Sequence, residues 1–277
     1  SYDVALNSSI NYASVVYKIK GFARTISSGF TSGIDAIGNA HKLIQKGKAN
    51  VIIAGGFEQI SFDLYMIFLM RKMLAGSNGT DKEISMPFDK RRNGFIMSEG
   101  SYVFIMENLE FALSRGARIY GEISGFATIF AGNKMYHTGK RIEKAKVAMQ
   151  KCLDDANLSI HDVDLINANG NSGDVSDLIE AKAIGELFET GDKEIPVYAV
   201  KSVVGECYGA SGAMQTAAAV LSIHNSLVPP TINYEEKDPE CDVNITKEKQ
   251  VRDINTALVN SFDLSGNNSC LVLKKYE

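Results

Sequence analysis

Only five prolines and four cysteines occur among the 277 residues, and neither gathers into a pattern. Without a Pro-rich or low-complexity stretch there is no sign of a flexible linker. Cys152, Cys207, Cys241 and Cys270 lie far apart, with no CxxC pair and no histidine beside them. That argues against a zinc ligand set or a disulfide framework and for cysteines used as small apolar residues, so no metal or cofactor is expected. Basic residues are no more abundant than acidic ones: 29 Lys and Arg face 33 Asp and Glu, a net charge of −4. Nucleic acid and anionic membrane surfaces therefore have no overall electrostatic attraction for the chain. The most apolar window, Leu64 to Met70, is too short to cross a bilayer, and SYDVALNSS lacks the basic start and apolar core of a signal peptide. These absences read as a soluble cytoplasmic protein.

What is present is enough apolar residue, 45% of the chain, for a large buried core. Periodicity predicts a strand over Ala23–Ser27, a helix over Thr31–Lys46 with Ile34, Ile37, Ala40 and Ile44 on one face, and a strand over Asn50–Ala54. Strand, helix and strand in that order imply a βαβ unit with a parallel, buried pair. A helix over Phe62–Leu74 follows. The polar stretch Gly76–Gly100 is long for a plain connection and suggests a functional or interface loop. Strands at Tyr102–Met106 and Arg118–Ile129 flank a short helix. Later come helices at Arg141–Ala156, Val175–Phe188 and Gly209–His224, and strands at Val163–Asn167, Val197–Val200, Thr256–Phe262 and Cys270–Lys274. The repeated element order implies a layered α/β fold of two similar halves, residues 1–130 and 131–277.

TISSGFTSGIDAIG, Thr25 to Gly38, runs through small residues straight into an amphipathic helix. Such an elbow exposes one side chain at a helix N-terminus, where the macrodipole favours negative charge. The side chain at its crest is Phe30, which has no reactive atom.

Six segments carry a resemblance. They are Thr25–Gly38; MPFDKRRNGFIMSEG, Met86–Gly100; INANGNSGDVSDLIE, Ile166–Glu180; KSVVGECYGASGA, Lys201–Ala213; LVPPTINYEEKDPECD; and VNSFDLSGNNSCLVL. In this order they resemble the β-ketoacyl synthases of the thiolase-like fold. The resemblance implies a layered αβαβα architecture. The family segment that precedes SYDV is not among these residues, so a truncated N-terminal half with bare apolar faces is expected.

The family's chemistry uses a cysteine that accepts an acyl chain and two histidines that promote decarboxylation and stabilise the oxyanion. The matching positions here are Phe30, Asn169 and Glu206. Phenylalanine cannot be acylated and asparagine cannot relay a proton. A carboxylate at 206 would repel a malonyl carboxylate by about 4 kcal/mol at about 4 Å and an effective dielectric of about 20. Lys201 and Glu99 match the family's lysine and glutamate, as a relic of catalysis or a buried ion pair; the charges also suggest a Lys201–Glu206 pair. The family's GFGG hinge and gating phenylalanine become Asp263, Leu264, Ser265 and Gly266, two glycines fewer.

By resemblance the chain is a degenerate ketosynthase-like subunit, of the chain-length-factor type, in a type II polyketide or polyene synthase. It would pair with an active ketosynthase as a heterodimer and line part of the chain tunnel. Phe30, Phe262 and Leu264 are the tunnel or gate candidates. Arg71, Lys72, Lys90, Arg91 and Arg92 are candidates for meeting an acidic acyl carrier protein, or form a solvated face. Rival readings are a residual decarboxylase or acyl hydrolase using Asn169 with a water, and a structural stabiliser of the ketosynthase.

Overall fold

The computed structural model describes residues 7–77, 79, 83–132, 137–188 and 194–276. The first six residues, and positions 78 and 80–82 of the polar stretch, lie outside the described residues.

In chain order the helices are α1 (Ser8–Val16), α2 (Ser32–Gln45), α3 (Phe62–Met70), α4 (Leu109–Ser114), α5 (Thr138–Asp155), α6 (Asp174–Phe188), α7 (Lys201–Val204) and α8 (Ser211–Asn225). The strands are β1 (Val51–Glu58), β2 (Gly100–Glu107), β3 (Glu122–Phe130), β4 (Leu165–Asn167), β5 (Val197–Tyr198), β6 (Leu227–Val228), β7 (Gln250–Val251), β8 (Thr256–Phe262) and β9 (Asn267–Lys274). A five-stranded sheet has the order β3-β9-β8-β4-β5, parallel between β8, β4 and β5 and antiparallel elsewhere. β1 and β2 form a separate antiparallel pair.

Alternation along β8 and β9 explains the layers. Leu258, Cys270 and Val272 point into a core shared with Ala148, Met149 and Cys152 of α5 and Ile179 and Ala183 of α6. Their neighbours Ala257, Val259, Leu271 and Leu273 point the other way, against Ile34 and Ile37 of α2 and Ala219 and Ile223 of α8. A strand buried on both faces needs apolar residues at successive positions, and β8 is buried throughout. The far side of α2 and α8 meets Ala54 of β1 and Tyr102, Phe104 and Met106 of β2. Helix, sheet, helix and sheet thus follow one another as layers.

Two expectations are corrected. Ala23–Ser27 belongs to none of the sheets, although its residues are β-prone. β1 therefore does not form a parallel βαβ pair; it runs antiparallel to β2 in full register from Val51↔Glu107 to Glu58↔Gly100. Propensity marks an extended segment, whereas a strand also needs a second backbone to meet its N–H and C=O groups. β3, which lies before residue 131, is bonded along its length to β9 in the larger sheet. The outer face of the small sheet is bare: Ile53 is 47% exposed, Phe57 56%, Val103 64% and Ile105 68%.

Candidate functional site

The elbow forms because Gly29, at φ +72°, turns the chain through a left-handed conformation into a 3₁₀ turn, Gly29–Thr31, that runs directly into α2. Ser32 Oγ accepts the Ser28 N–H at 2.9 Å and donates to the Gly29 carbonyl at 2.7 Å. Asp35, in the first turn of α2, accepts from Ser28 Oγ at 2.5 Å, Thr31 Oγ1 at 2.9 Å and Ser269 Oγ at 2.6 Å. A carboxylate in that turn complements the helix dipole.

Phe30 projects from this turn into an aromatic cluster and is 2% exposed. Its ring centroid lies 4.9 Å from Tyr208 and 6.0 Å from both Phe68 and Phe95. Phe68 of α3 and Phe95 are themselves edge to face at 5.2 Å. Leu74, Leu64, Leu264 and Met97 complete the cluster. Tilted and edge-to-face rings at these spacings are favourable aromatic packing. The crest of the elbow is thus occupied by close-packed carbon.

Asn169, Lys201 and Glu206 meet in a second buried group. Lys201 Nζ lies 2.9 Å from Glu206 Oε2 and 2.9 Å from Asn169 Oδ1. The anticipated Lys201–Glu206 pair is present. Asn171 Nδ2 donates to Glu206 Oε2 at 3.2 Å, and Ser211 Oγ donates to Oε1. Asn169 Oδ1 also accepts the Phe262 N–H at 3.2 Å. Glu206 is pinned through its backbone as well, accepting from Ser98 N–H at 3.0 Å and donating to the Ile96 carbonyl at 2.8 Å. Each charge is met by an opposite charge or a hydrogen-bond donor, as burial requires.

Glu99 is not part of this group, which corrects the alternative of a buried Lys201–Glu99 pair. It is exposed and accepts the Ile60 N–H at 3.1 Å. Lys201 has two possible carboxylate partners in the sequence, and only the buried one is within reach.

The end of β8 joins the two groups. Ser261 Oγ donates to the Phe30 carbonyl at 3.1 Å, Phe262 N–H reaches Asn169, and Asp263 Oδ2 accepts the Phe30 N–H at 2.9 Å. Phe262 is 8% exposed and Leu264 is half-buried. Both line a cavity of about 180 Å³ whose wall also includes Phe95, Asn171, Ser176 and Lys72.

Sequence reading missed Asp177 and Glu180, which hold the loop that carries Asn169. Glu180 accepts the N–H groups of Asn169 and Gly170, both at 2.8 Å, and Asn260 Nδ2 at 3.1 Å. Asp177 accepts from the N–H groups of Phe88, Asn171 and Ser172. Burial pushes the Glu180 carboxyl up to about 7 and that of Asp177 up to about 6, with the backbone donors pulling the other way. Acids in the first turns of a helix that follows a Gly- and Ser-rich bend were the available signal.

The basic candidates separate. Arg71, Lys72 and Lys90 are exposed. Arg91 is bound to Asp89 at 2.8 Å and Glu235 at 2.8 Å, and Arg92 to Asp238 at 2.6 Å. Those two arginines fasten the loop after Met86 to the segment 235–238. Cys207 is buried against Ser98 Oγ at 3.0 Å, and burial raises its thiol pKa, which disfavours the nucleophilic thiolate. None of the four histidines belongs to the elbow or to the Lys201 group; His224 contacts Arg118, on the far end of α8. Among the described residues no group of three or more His, Cys, Asp or Glu is placed to hold a metal ion, and no helix is long and apolar enough to cross a membrane.

Residues 6–112 match the N-terminal domain of the β-ketoacyl synthases, and residues 120–235 match their C-terminal domain. A polyketide β-ketoacyl synthase of Streptomyces halstedii is 37% identical over 258 residues, 92% of this chain and 61% of that protein. The 3-oxoacyl-[acyl-carrier-protein] synthase 2 of Staphylococcus aureus (strain COL) is 37% identical over 89% of this chain and 60% of its own length. The chain thus spans about three fifths of these relatives. Among solved structures, a ketosynthase bound to the hexaketide, in complex with its type II acyl-carrier protein, superposes with a TM-score of 0.94 at 29% identity, over 99% of this chain and 68% of that one. The ishigamide ketosynthase/chain length factor gives 0.89 at 26% identity, over 99% and 66%. With two successive domain matches and a thiolase-like fold, the chain belongs to the β-ketoacyl synthase family.

Proposed function

We propose that this chain is a non-catalytic, ketosynthase-like subunit that pairs with an active β-ketoacyl synthase in polyketide or polyene assembly and contributes wall to the growing chain's tunnel. The observation that carries the reading is Phe30, buried in an aromatic cluster where the family places its acyl-accepting cysteine. Thioester formation requires a nucleophilic heteroatom at that crest, and the phenyl ring has none. Asn169 and Glu206 support the same reading. Both are engaged with Lys201, and the oxygen of Asn169 that would hold a water already accepts two hydrogen bonds. The likeness to a ketosynthase/chain length factor agrees with a paired role.

Phe262 and Leu264, on the cavity wall, are the side chains whose bulk would limit a chain entering there. An acidic carrier protein would meet Arg71, Lys72 and Lys90, whose charges are exposed, more readily than Arg91 and Arg92, which are already paired. Co-expression with a ketosynthase encoded beside it tests the reading. The expected result is a stable complex by sizing chromatography and intact mass, with acyl chains recovered only on the partner. Product lengths should shift when Phe262 or Leu264 is trimmed to alanine. Turnover of malonyl carrier protein by the lone chain, abolished by Asn169→Ala, would instead make it a decarboxylase.

A further inference from the structure

Phe30 removes the nucleophile, yet the elbow has a second feature: its backbone donor is already taken. The Phe30 N–H, at the mouth of α2, points at Asp263 Oδ2 at 2.9 Å. A backbone N–H at a helix start is the kind of group that stabilises a developing oxyanion. Asp263 is 6% exposed, and its other oxygen accepts the Ser265 N–H at 2.7 Å and the Ser265 hydroxyl. Its backbone is fixed too: the N–H donates to Asn267 at 2.7 Å, and the carbonyl accepts from Arg141 Nη2 at 2.7 Å and from Gly266 at 3.0 Å. The fit is close on the other side as well. A Cβ on Gly29 would stand 2.2 Å from Asp263 Oδ2, so only glycine at 29 leaves room for this carboxylate.

We propose that the Asp263 carboxylate is an internal anion that occupies the elbow's oxyanion donor and latches the turn Phe262–Gly266 onto it. Because it engages the backbone N–H, the latch closes the elbow independently of the Phe30 ring. Leu264, the next residue, packs on the aromatic cluster, and Phe262 on the other side is held by Asn169, so the turn is tied down at three successive residues. A cysteine placed at position 30 would face a carboxylate rather than an empty donor, and its thiolate would be disfavoured. The inference rests on the reading above only in taking residue 30 as the crest of the elbow.

Two measurements on the isolated chain test it, and neither involves a partner or carrier protein, so their failure is distinct from failure of the proposed function. The first is the pH dependence of iodoacetamide alkylation in Phe30→Cys, in which the thiolate sulfur displaces iodide. The rate midpoint should lie at or above about 8.5, the ordinary thiol value, and Asp263→Asn in the same background should lower it by about one unit. That is about a tenfold faster reaction at pH 7. Equal midpoints with and without the carboxylate overturn the proposal. The second needs no change at residue 30: native-state hydrogen exchange at the Phe30 amide in Asp263→Ala, referenced to amides of β8. Exchange at Phe30 should rise at least about tenfold more than in β8. An equal rise in both, or none, means the carboxylate is not a latch.

Discussion

Lys201 Nζ and Glu206 Oε2 are 2.9 Å apart, and each side chain is 1% exposed to solvent. An ion pair buried this deeply is held by mutual need, because either charge alone would be stranded in a medium that cannot solvate it. Lys201→Met should therefore cost about 3–5 kcal/mol, and Glu206→Leu a similar amount. The double variant should recover much of the loss, since it leaves neither charge unpaired. Urea unfolding of the four proteins checks this; costs that simply add would show that the two groups do not depend on each other.

Phe30→Ala removes a ring that touches three other aromatic side chains. The expected cost is about 3–5 kcal/mol, the range for emptying a phenylalanine site in a core that cannot fully collapse. Phe30→Leu should cost less because more volume is kept. Thermal or urea unfolding ranks the two, and a neutral Phe30→Ala would mean the ring fills no essential space.

Glu180 makes stability depend on pH near neutrality. Its carboxyl is raised by burial from 4.5 to about 7, so the native state holds the proton more tightly than the unfolded chain. Between about 4.5 and 7 the folded form binds more protons, and stability falls as pH rises through that window. A shift of this size amounts to a loss on the order of 3 kcal/mol. Glu180→Gln should abolish the slope between about 6 and 7 and roughly halve it below 6, where Asp177, raised to about 6, contributes a comparable slope. Unfolding midpoints in urea at half-unit pH steps read the effect directly.

Asp89 acts in the opposite sense and in a lower window. Burial pushes its carboxyl up, but Arg91 and the N–H groups of Arg91, Glu235 and Glu236 outweigh burial and hold it down at about 2. Its contribution is complete above the ordinary value of 3.8 and is lost as pH falls towards 2. Asp89→Asn should destabilise the chain at pH 7 by about 1.5–3 kcal/mol, the range for charged hydrogen bonds. The gap between variant and parent should close between about pH 4 and pH 2. A gap independent of acid would assign the loss to packing alone.

Much of the fold could be read along the chain because its periodicities are strong. The apolar stripe of α2 corresponds to a helix within one residue of its expected ends, and β8, with Ala257, Leu258 and Val259 in succession, spans its expected Thr256–Phe262. The six motif segments located the elbow and the Asn169, Lys201 and Glu206 positions. Glu99 was legible as a charge but not as an exposed one. Asp263 was legible as a lost glycine but not as a ligand for the elbow's backbone.

The amino-acid order by itself determined which atoms are available: no sulfur at residue 30, no imidazole at 169 or 206, and a carboxylate at 263. Only the tertiary structure decided how those atoms are used. Pairing of β1 with β2, the choice of Glu206 over Glu99 by Lys201, and the seating of Asp263 on Phe30 N–H all join residues set by the packing of layers. Local sequence fixes torsional preference and periodicity. It does not specify which of several chemically equivalent partners burial will bring within 3 Å, because that choice is made by the whole core at once.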